Sequence, residues 1–588
     1  MQNFEENLAS RVNGSLQPLL GVSVTVKTAM GLLATIYSDN GATTQGNPMT
    51  TDANGRFGFY AANGDYVLTF SGPQIQTYER PIDLYDPDDA QPLTQAQAAL
   101  PSAASRIGYQ LSGTGSVART TENKLNENVS ALDFVAAQPG GDITAGLQAA
   151  IDAVAATGRP GAVTVPDGTW LCGPIVLKPG VDVVGKSVNS AFLIPNADAI
   201  TMFSMVFASS SGANVKIGGF SIYCAAHTGI KGMQFTHCNR VALESMNFYG
   251  CLTNFEFDRG GLHRVRNVVS AGTPTNKSGS MKMWSSVDTA FGSVFSIIDN
   301  YRIENNGMGV QSPAVYFRRA VGVRVSRLVT NDSNYTGTCI LIENDCQGIT
   351  IENSLVVGYS IGCVFQKGGG INKAPIVNTL SNVDFDQCLT NAILITAGVG
   401  NEVNGGKITS SAVGTTSKAI ALIGADASEN TLRGVHIGGY YDTNGTGVLL
   451  SNTSKNRLYD VQVEGCAQGL AFDGTNTQTH VRGGDLSSNV PIAIGGSIAG
   501  VGNRVEGVKG FFGTDRIGSP AMPASGVTVT NNYGCAARVF INGGTISLIS
   551  INSIASGFTT GAMLMLLPGE SLSITYSVAP SWNWIGSN

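Results

Sequence analysis

Two hydrophobic rhythms run along the chain. Between residues 16 and 72, Val22, Val24 and Val26 alternate with polar residues. Asp39-Asn40-Gly41, Ala53-Asn54-Gly55 and Ala62-Asn63-Gly64-Asp65 separate strand-like runs such as Phe57–Tyr60 and Tyr66–Phe70. Alternation broken by such turn formers predicts a small antiparallel meander or sandwich. The rhythm lapses from 73 to about 121, where Tyr85-Asp86-Pro87-Asp88-Asp89 forms an acidic turn and Leu93–Leu100 reads as a short helix in a connector. Beyond Ala131-Leu132-Asp133-Phe134 the spacing changes. Ile143, Leu147, Ile151 and Val154 recur at three and four residues, which predicts an amphipathic helix with Asp142 as its N-cap. Short strands follow in VTVPDGTWLCGPIVLKPGVDVVGK.

From 240 to 510 one pattern keeps returning: an apolar strand, a turn rich in Asn or Gly, then a second strand opening on an aliphatic residue. Anchoring on that residue gives Leu243, Val265, Ile303, Val325, Ile351, Leu380, Val403, Leu432, Leu458, Val481 and Val505. The separations are 22, 38, 22, 26, 29, 23, 29, 26, 23 and 24 residues, the long one being a rung plus an insertion. A period of this size marks a solenoid, and without a recurring LxxLxLxxN the coils are not leucine-rich repeats. Stacked β-coils fit best. Cys251, Cys388 and Cys466 each fall eight residues after an anchor, as small inward side chains stacked at a coil corner would.

Composition narrows the function. Only 13% of residues are charged, and 35 basic against 41 acidic residues give a net charge of −6, so the basic footprint of a nucleic-acid binder is missing. The 74 glycines among 588 residues suit a fold made of turns. MQNFEENLAS carries acids where a signal peptide carries bases, and no apolar run reaches the length of a membrane helix; export by a signal peptide and membrane insertion are not expected. Ten dilute cysteines without a CxxC pair read as thiols formed reduced in a cytoplasm, and neither a metal nor a cofactor is expected.

These segments resemble a known family. LATIYSDNGATTQGNPMTTDANGRFGFYAANGDYVLTFSG resembles the prealbumin-like or carboxypeptidase-regulatory-like domains near the N-terminus of many phage tail proteins. The helix and strands after 129 resemble the opening of the pectate-lyase-like right-handed parallel β-helix of phage tailspikes, where a short helix caps the first coil. The closing strands, with SLSITYS and PSWNW, resemble the small C-terminal sandwiches of tailspikes; Trp582 and Trp584 are expected in its core. The expected fold is all-β: a virion-proximal β-domain over 1–72, a connector over 73–128, a right-handed parallel β-helix over 129–520 and a β-sandwich over 521–588. The resemblance implies a homotrimer that joins the phage tail or baseplate through its N-terminal region. It implies a virion-tail protein, made in the host cytoplasm, that binds and depolymerises capsular or O-antigen polysaccharide. Endo-glycosidic hydrolysis is the first expectation; a polysaccharide lyase and a non-catalytic receptor-binding spike are the alternatives.

The family carries no invariant catalytic motif, so the candidate site comes from register. Residues after the anchors point outward and form the column Glu244, Arg266, Glu304, Ser326, Glu352, Ser381, Asn404, Arg433, Tyr459, Arg482 and Glu506. Two rungs of about 4.8 Å place Glu304 and Glu352 about 9–10 Å apart, near the upper end of the span of an inverting carboxylate pair. Asp384, on the rung beyond Glu352, would suit a retaining pair. Glu304, Glu352 and Asp384 are therefore the catalytic candidates. Trp284 and Lys282, on the insertion, are expected to stack on and neutralise an acidic sugar. Tyr316, Arg318, Arg319, Glu343, Asp345 and His263 complete the expected substrate surface, His263 also serving the lyase alternative as a base. Lys367–Asn372 is read as a second wall. The five histidines are each expected to be hydrogen-bonded surface residues. Gly180–Ser187 matches a P-loop in letters, but its middle is strand-like and no helix follows, so nucleotide binding is not expected.

Overall fold

Alternating valines and aromatics build the first unit, Met1–Lys124, around Val22, Val24, Val26, Phe59, Leu68 and Phe70. The computed structural model describes residues 1–12, 15–72, 75–85, 108–109, 119–120, 129–287, 291–305, 309–332, 334–368, 373–410, 417–439, 445–488, 492–496, 498, 500–510, 518–533 and 536–587. Two four-stranded antiparallel sheets face each other in this unit. The strand Ile75–Leu84 pairs along Gly64–Gly72, so the sandwich runs past residue 72. Its side chains over Gln76–Glu79 face water, which hides the alternation from the sequence. The helix expected over Leu93–Leu100 lies outside the described residues.

The second unit, Leu125–Asn588, is a right-handed parallel β-helix followed by a small antiparallel sandwich. The helix Thr144–Ala156 buries Leu147, Ala150, Ile151 and Val154 over the first coil. Ile143 occupies the N-cap, and Asp142 caps from one residue farther out, accepting from the Thr144 N–H at 2.7 Å. Asp142 still satisfies an orphan donor of the first turn, but through the Asx geometry of the preceding loop.

Each full coil has three faces. Face A carries strands such as Thr338–Glu343; face B carries the first leg of strands such as Thr350–Val357, and face C their second leg. A residue in the left-handed region bends each strand between B and C: Ser245, Asn267, Asn300, Arg327, Asn353, Asn382, Gly405, Gly434, Asp460, Gly483 and Gly507. Early rungs thus turn on Asn, Ser and Arg, and later rungs on glycine except at Asp460.

The register corrects one anchor. Val265 pairs with Ile298, and Ile298 with Val325; Ile303 stands on face C. The remaining anchors stack in order from Leu243 to Val505. Cys251, Cys388 and Cys466 are buried, each directly after a left-handed corner residue, Gly250, Gln387 and Gly465. The nine described cysteines are free thiols.

Two residues before each anchor runs a buried column: His263, Ser296, Val323, Ile349, Asn378, Asn401, Asn430, Asn456, Thr479 and Asn503. Each Asn side chain here accepts from the backbone N–H of the preceding rung, as in Asn378 N to Asn401 Oδ1 at 3.0 Å and Asn401 N to Asn430 Oδ1 at 3.1 Å.

His263 departs from the surface role expected of it. It is 2% exposed, stacks on Phe257 with ring centroids 4.0 Å apart, and neither ring nitrogen has a hydrogen-bond partner. Burial pushes its imidazole down to about 3. The unfolded chain, with an ordinary value of about 6.5, therefore takes up protons first. Stability is complete above that value and falls by about 1.4 kcal/mol per pH unit as pH drops toward 3. Between pH 7.5 and 5 the parent should lose about 2 kcal/mol more than His263→Phe in denaturant unfolding. Equal losses would contradict this account.

The C-terminal sandwich packs a four-stranded sheet against the strands Met563–Leu566, Ala536–Asn542 and Ser581–Ser587. Trp584 is buried, and Trp582 packs edge-on against it while donating to the Pro520 carbonyl at 2.7 Å. Among the described residues no helix is long and apolar enough to cross a membrane.

Candidate active site

Alternation on face A sends every second side chain into the core. Phe235, Phe257, Met283, Phe317, Ile342 and Phe365 point inward and are buried on successive rungs. Their neighbours point outward in two columns. One reads Gln234, Glu256, Lys282, Tyr316 and Leu341; the other reads Asp258, Trp284, Arg318, Glu343 and Gln366. Face A therefore gathers Lys282, Trp284, Tyr316, Arg318 and Glu343 on three consecutive rungs.

Glu343 is the centre of this group. It is 9% exposed; the Tyr316 hydroxyl donates to its Oε1, and Gln366 Nε2 donates to Oε2 at 3.3 Å. Burial, then the bond to Glu343, push the Tyr316 phenol well above its usual range, so this hydroxyl keeps its proton. Lys282 Nζ lies 5.8 Å from the Trp284 ring centroid, and the Trp284 and Tyr316 rings are 6.2 Å apart. Burial holds the Lys282 ammonium below its usual value, against the attraction of Glu256.

The corner after face A supplies a second carboxylate. Asn344 and Asp345 both take left-handed conformations, and Asp345 is 5% exposed. Its carboxylate faces Arg319 at 3.7 Å, Lys373 at 3.5 Å and Gln347 Nε2 at 3.0 Å. Arg319 lies over the Phe291 ring at 5.5 Å. Arg259, Gly260, Phe291 and Gly292 line a nearby cleft of about 430 Å³ with His237 and Asn239. Gly260, at φ +99°, cannot be replaced there, since a Cβ would stand 1.8 Å from the Cys238 carbonyl oxygen.

Glu256 and Asp258 were missed from sequence. Glu256 takes Lys231 at 3.3 Å and Gln234 at 3.1 Å. Asp258 accepts both arms of Arg259 at 3.1 and 3.0 Å, plus the Ser286 N–H at 2.9 Å and hydroxyl at 2.7 Å. Burial pushes Asp258 up, but these donors together hold it below the usual carboxylate range. It ties the loop after Trp284 to the preceding rung. The signal was present: NFEFDRGG aligns with SGSMKMW by strict alternation.

The catalytic trio expected from register is not brought together. Glu304 closes its strand on face C, pairs with Ala271 and forms an ion pair with Arg302 at 2.7 Å. Glu352 stands on face B against Arg324 at 2.6 Å. Asp384 pairs with Leu355 on face C and accepts from the Lys407 N–H at 2.7 Å. Asp299 fills the place in the outward column that Glu304 was expected to hold. His263 is in the core and cannot reach a substrate. Lys367, on the expected second wall, pairs with Asp426 at 2.8 Å; residues 369–372 lie outside the described residues.

Other motifs stay structural. In the P-loop lookalike, Val181–Gly185 is a strand, Lys186 is exposed and the phosphate-cradling helix is missing. Gly358-Tyr359-Ser360-Ile361-Gly362 carries the letters of an esterase elbow, yet Ser360 leads into the strand Ile361–Gln366 and meets Thr390 Oγ1 at 3.3 Å. Among the described residues no group of three or more His, Cys, Asp or Glu could hold a metal ion.

A capped right-handed parallel β-helix with a small sandwich at its far end defines the structural class. Solved structures of similar fold are tailspike proteins of E. coli bacteriophage HK620. A mutant of that tailspike in complex with hexasaccharide is 14% identical over 84% of this chain and 99% of its own, with a TM-score of 0.53. A double mutant in complex with pentasaccharide gives the same identity, coverages and TM-score. The tailspike in complex with pentasaccharide is 15% identical over 84% and 99%, with a TM-score of 0.51. At this identity the likeness is one of fold. No protein-family model and no curated protein matches the chain.

Proposed function

We propose that the chain is a bacteriophage tailspike that binds and depolymerises a host surface polysaccharide by hydrolysis, with Glu343 and Asp345 as the reacting carboxyl groups. The observation that carries this reading is the convergence of Glu343, Tyr316, Lys282 and Trp284 on one face, beside Asp345 and the cleft at Phe291. The oligosaccharides bound by the HK620 tailspike, which shares the fold, support the substrate class.

Glycoside hydrolysis breaks the bond from the anomeric carbon to the leaving oxygen, gives that oxygen a proton, and adds water to the carbon. Glu343 supplies the proton. Asp345, neutralised by Arg319 and Lys373, activates the water. Trp284 offers a ring to a sugar face and Lys282 a charge to an acidic substituent. Tyr316, its proton held toward Glu343, is a poor base, which favours hydrolysis over elimination.

Lys282 supports the lyase as a second reading, because an amine lowered by burial is suited to proton abstraction. Host polysaccharide incubated with the protein should shift to smaller size on gel filtration without gaining the ultraviolet absorbance of an unsaturated uronate. That absorbance would replace hydrolysis with elimination; an unshifted profile with retained cell binding would leave a non-catalytic spike.

The spike is proposed to be a homotrimer. Past the site, face A carries half-buried Leu394 and Leu449 at outward positions, and Met563, Met565 and Leu567 are exposed in the C-terminal sandwich. Attachment to the tail is assigned to the N-terminal sandwich, whose exposed Met30, Leu32 and Leu33 suit docking. The protein then belongs to the virion tail.

A further inference from the structure

Face B carries a feature that the proposed active site does not use. Over its last four rungs the strands Thr431–Arg433, Arg457–Tyr459, His480–Arg482 and Arg504–Glu506 stack in register. Each rung presents one arginine outward, alternating between the two columns: Arg433, Arg457, Arg482 and Arg504. All four are exposed. Among the described residues the ion pairs of this region are Lys455–Glu429, His436–Glu464, His480–Glu506 and Lys509–Asp485, and none of them takes one of these arginines.

The ladder is partly pre-organised. The Arg433 guanidinium lies over the Tyr459 ring at 4.8 Å, and His480 meets the same ring edge-on at 6.1 Å. Stacking of this kind fixes the plane of a guanidinium, whose fork then matches a carboxylate in two hydrogen bonds. Arg433, Tyr459, Arg482, Gly483, Glu506 and Gly507 line an open groove of about 740 Å³. Gly483 and Gly507 carry no side chain at the bend beside it, and the Asp460 carboxylate of the neighbouring rung lies over Gly483.

We propose that this groove is a second glycan site, separate from the Glu343 cluster, that takes an acidic polysaccharide running along the long axis with its carboxylates on the arginine ladder. Arginines of one column, Arg433 and Arg482, stand two rungs or about 9–10 Å apart, close to the length of two sugar residues in an extended chain, so they meet alternate residues. Duplex nucleic acid is the poorer occupant: the protein has a pI near 5.5, and four arginines without a wider basic field lack the footprint such ligands need. Glu506 and Asp460 also line the groove, so the ligand's carboxylates seat on the arginine side and its neutral atoms face these acids. The choice of a glycan rests on the proposed tailspike function; the charge ladder does not.

Polygalacturonate serves as the acidic probe and dextran as the neutral one, with the full chain in isothermal titration calorimetry at low and physiological salt. Binding of polygalacturonate, weakened by salt, and no binding of dextran are expected. Arg433→Gln with Arg482→Gln, which line the groove, should weaken it at least 10-fold, and Arg457→Gln with Arg504→Gln, in the neighbouring column, by a smaller factor, with unfolding midpoints unchanged. Glu343→Gln should bind it as the parent does. Failure to bind polygalacturonate, full binding by both double variants, or tighter ladder-dependent binding of a short DNA duplex would overturn the site. A protein that cleaves host polysaccharide but ignores polygalacturonate sinks this proposal alone; one that binds the probe through the ladder but cleaves nothing sinks only the catalytic reading.

Discussion

Glu343→Gln is expected to lower the rate of polysaccharide cleavage by about 100- to 10,000-fold, the range that one proton-transferring group contributes. That is about 2.7 to 5.4 kcal/mol of transition-state stabilisation. The amide keeps the shape of the carboxyl and still accepts from Tyr316, so KM and the unfolding midpoint should hold while kcat falls. Tyr316→Phe should cost less, about 10-fold, because it removes an orienting hydrogen bond and leaves the carboxyl in place. Glu304→Gln and Glu352→Gln, on faces C and B, should stay within about 2-fold of the parent. A Glu343→Gln protein cleaving at the parental rate would remove the proposed centre, whatever the other variants do.

The second large effect belongs to the core. Asn430 is 1% exposed, and its side chain donates to the Gly398 carbonyl at 2.9 Å and to Asn456 Oδ1 at 3.2 Å. Its Oδ1 accepts the Asn401 backbone N–H at 3.1 Å and the Asn401 side chain at 3.0 Å. In Asn430→Leu these partners stay buried without it, at about 1–3 kcal/mol for each unsatisfied group. A loss of about 3–5 kcal/mol in denaturant unfolding is expected. The exposed ladder residue Arg457, on the next rung, should by contrast be replaceable by Gln within about 0.5 kcal/mol. Equal effects of the two would mean that the Asn column does not hold the coils in register.

The solenoid could be read from sequence because its second strand repeats a buried aliphatic residue at a steady period. The one misplaced anchor has a physical cause. Tyr301-Arg302-Ile303-Glu304 alternates apolar and polar residues as Ile298-Asp299 does, and the letters do not show that Asn300 turns the chain between them. Once that bend is known, the outward acid of the rung is Asp299 and Glu304 moves to another face. The Asn column is also legible, as Asn-x-aliphatic at Asn378, Asn401, Asn430, Asn456 and Asn503, but Asn ahead of a strand reads equally well as a turn former. Of the site, Lys282, Trp284, Tyr316 and Glu343 were singled out as sugar contacts by chemical type. Their shared face stays hidden because the steady aliphatic period marks face B alone. The same gap concealed Glu256 and Asp258. Sequence could not distinguish His263 as a core residue, since one imidazole among aliphatics looks the same whether it faces water or Phe257.

The parallel stacking of the coils has a mechanical meaning. Backbone hydrogen bonds between coils run along the long axis, from the first coil at Gly161–Val165 to the last at Arg504–Glu506. A pull along that axis would load one rung's bonds at a time and open the coils in sequence from an end. A push meets stacks of Phe, Met and Ile already packed at the density of a crystal, which yield little. The β-helix is therefore a strut that bears thrust better than tension, and its weakest point under tension is whichever end is held least.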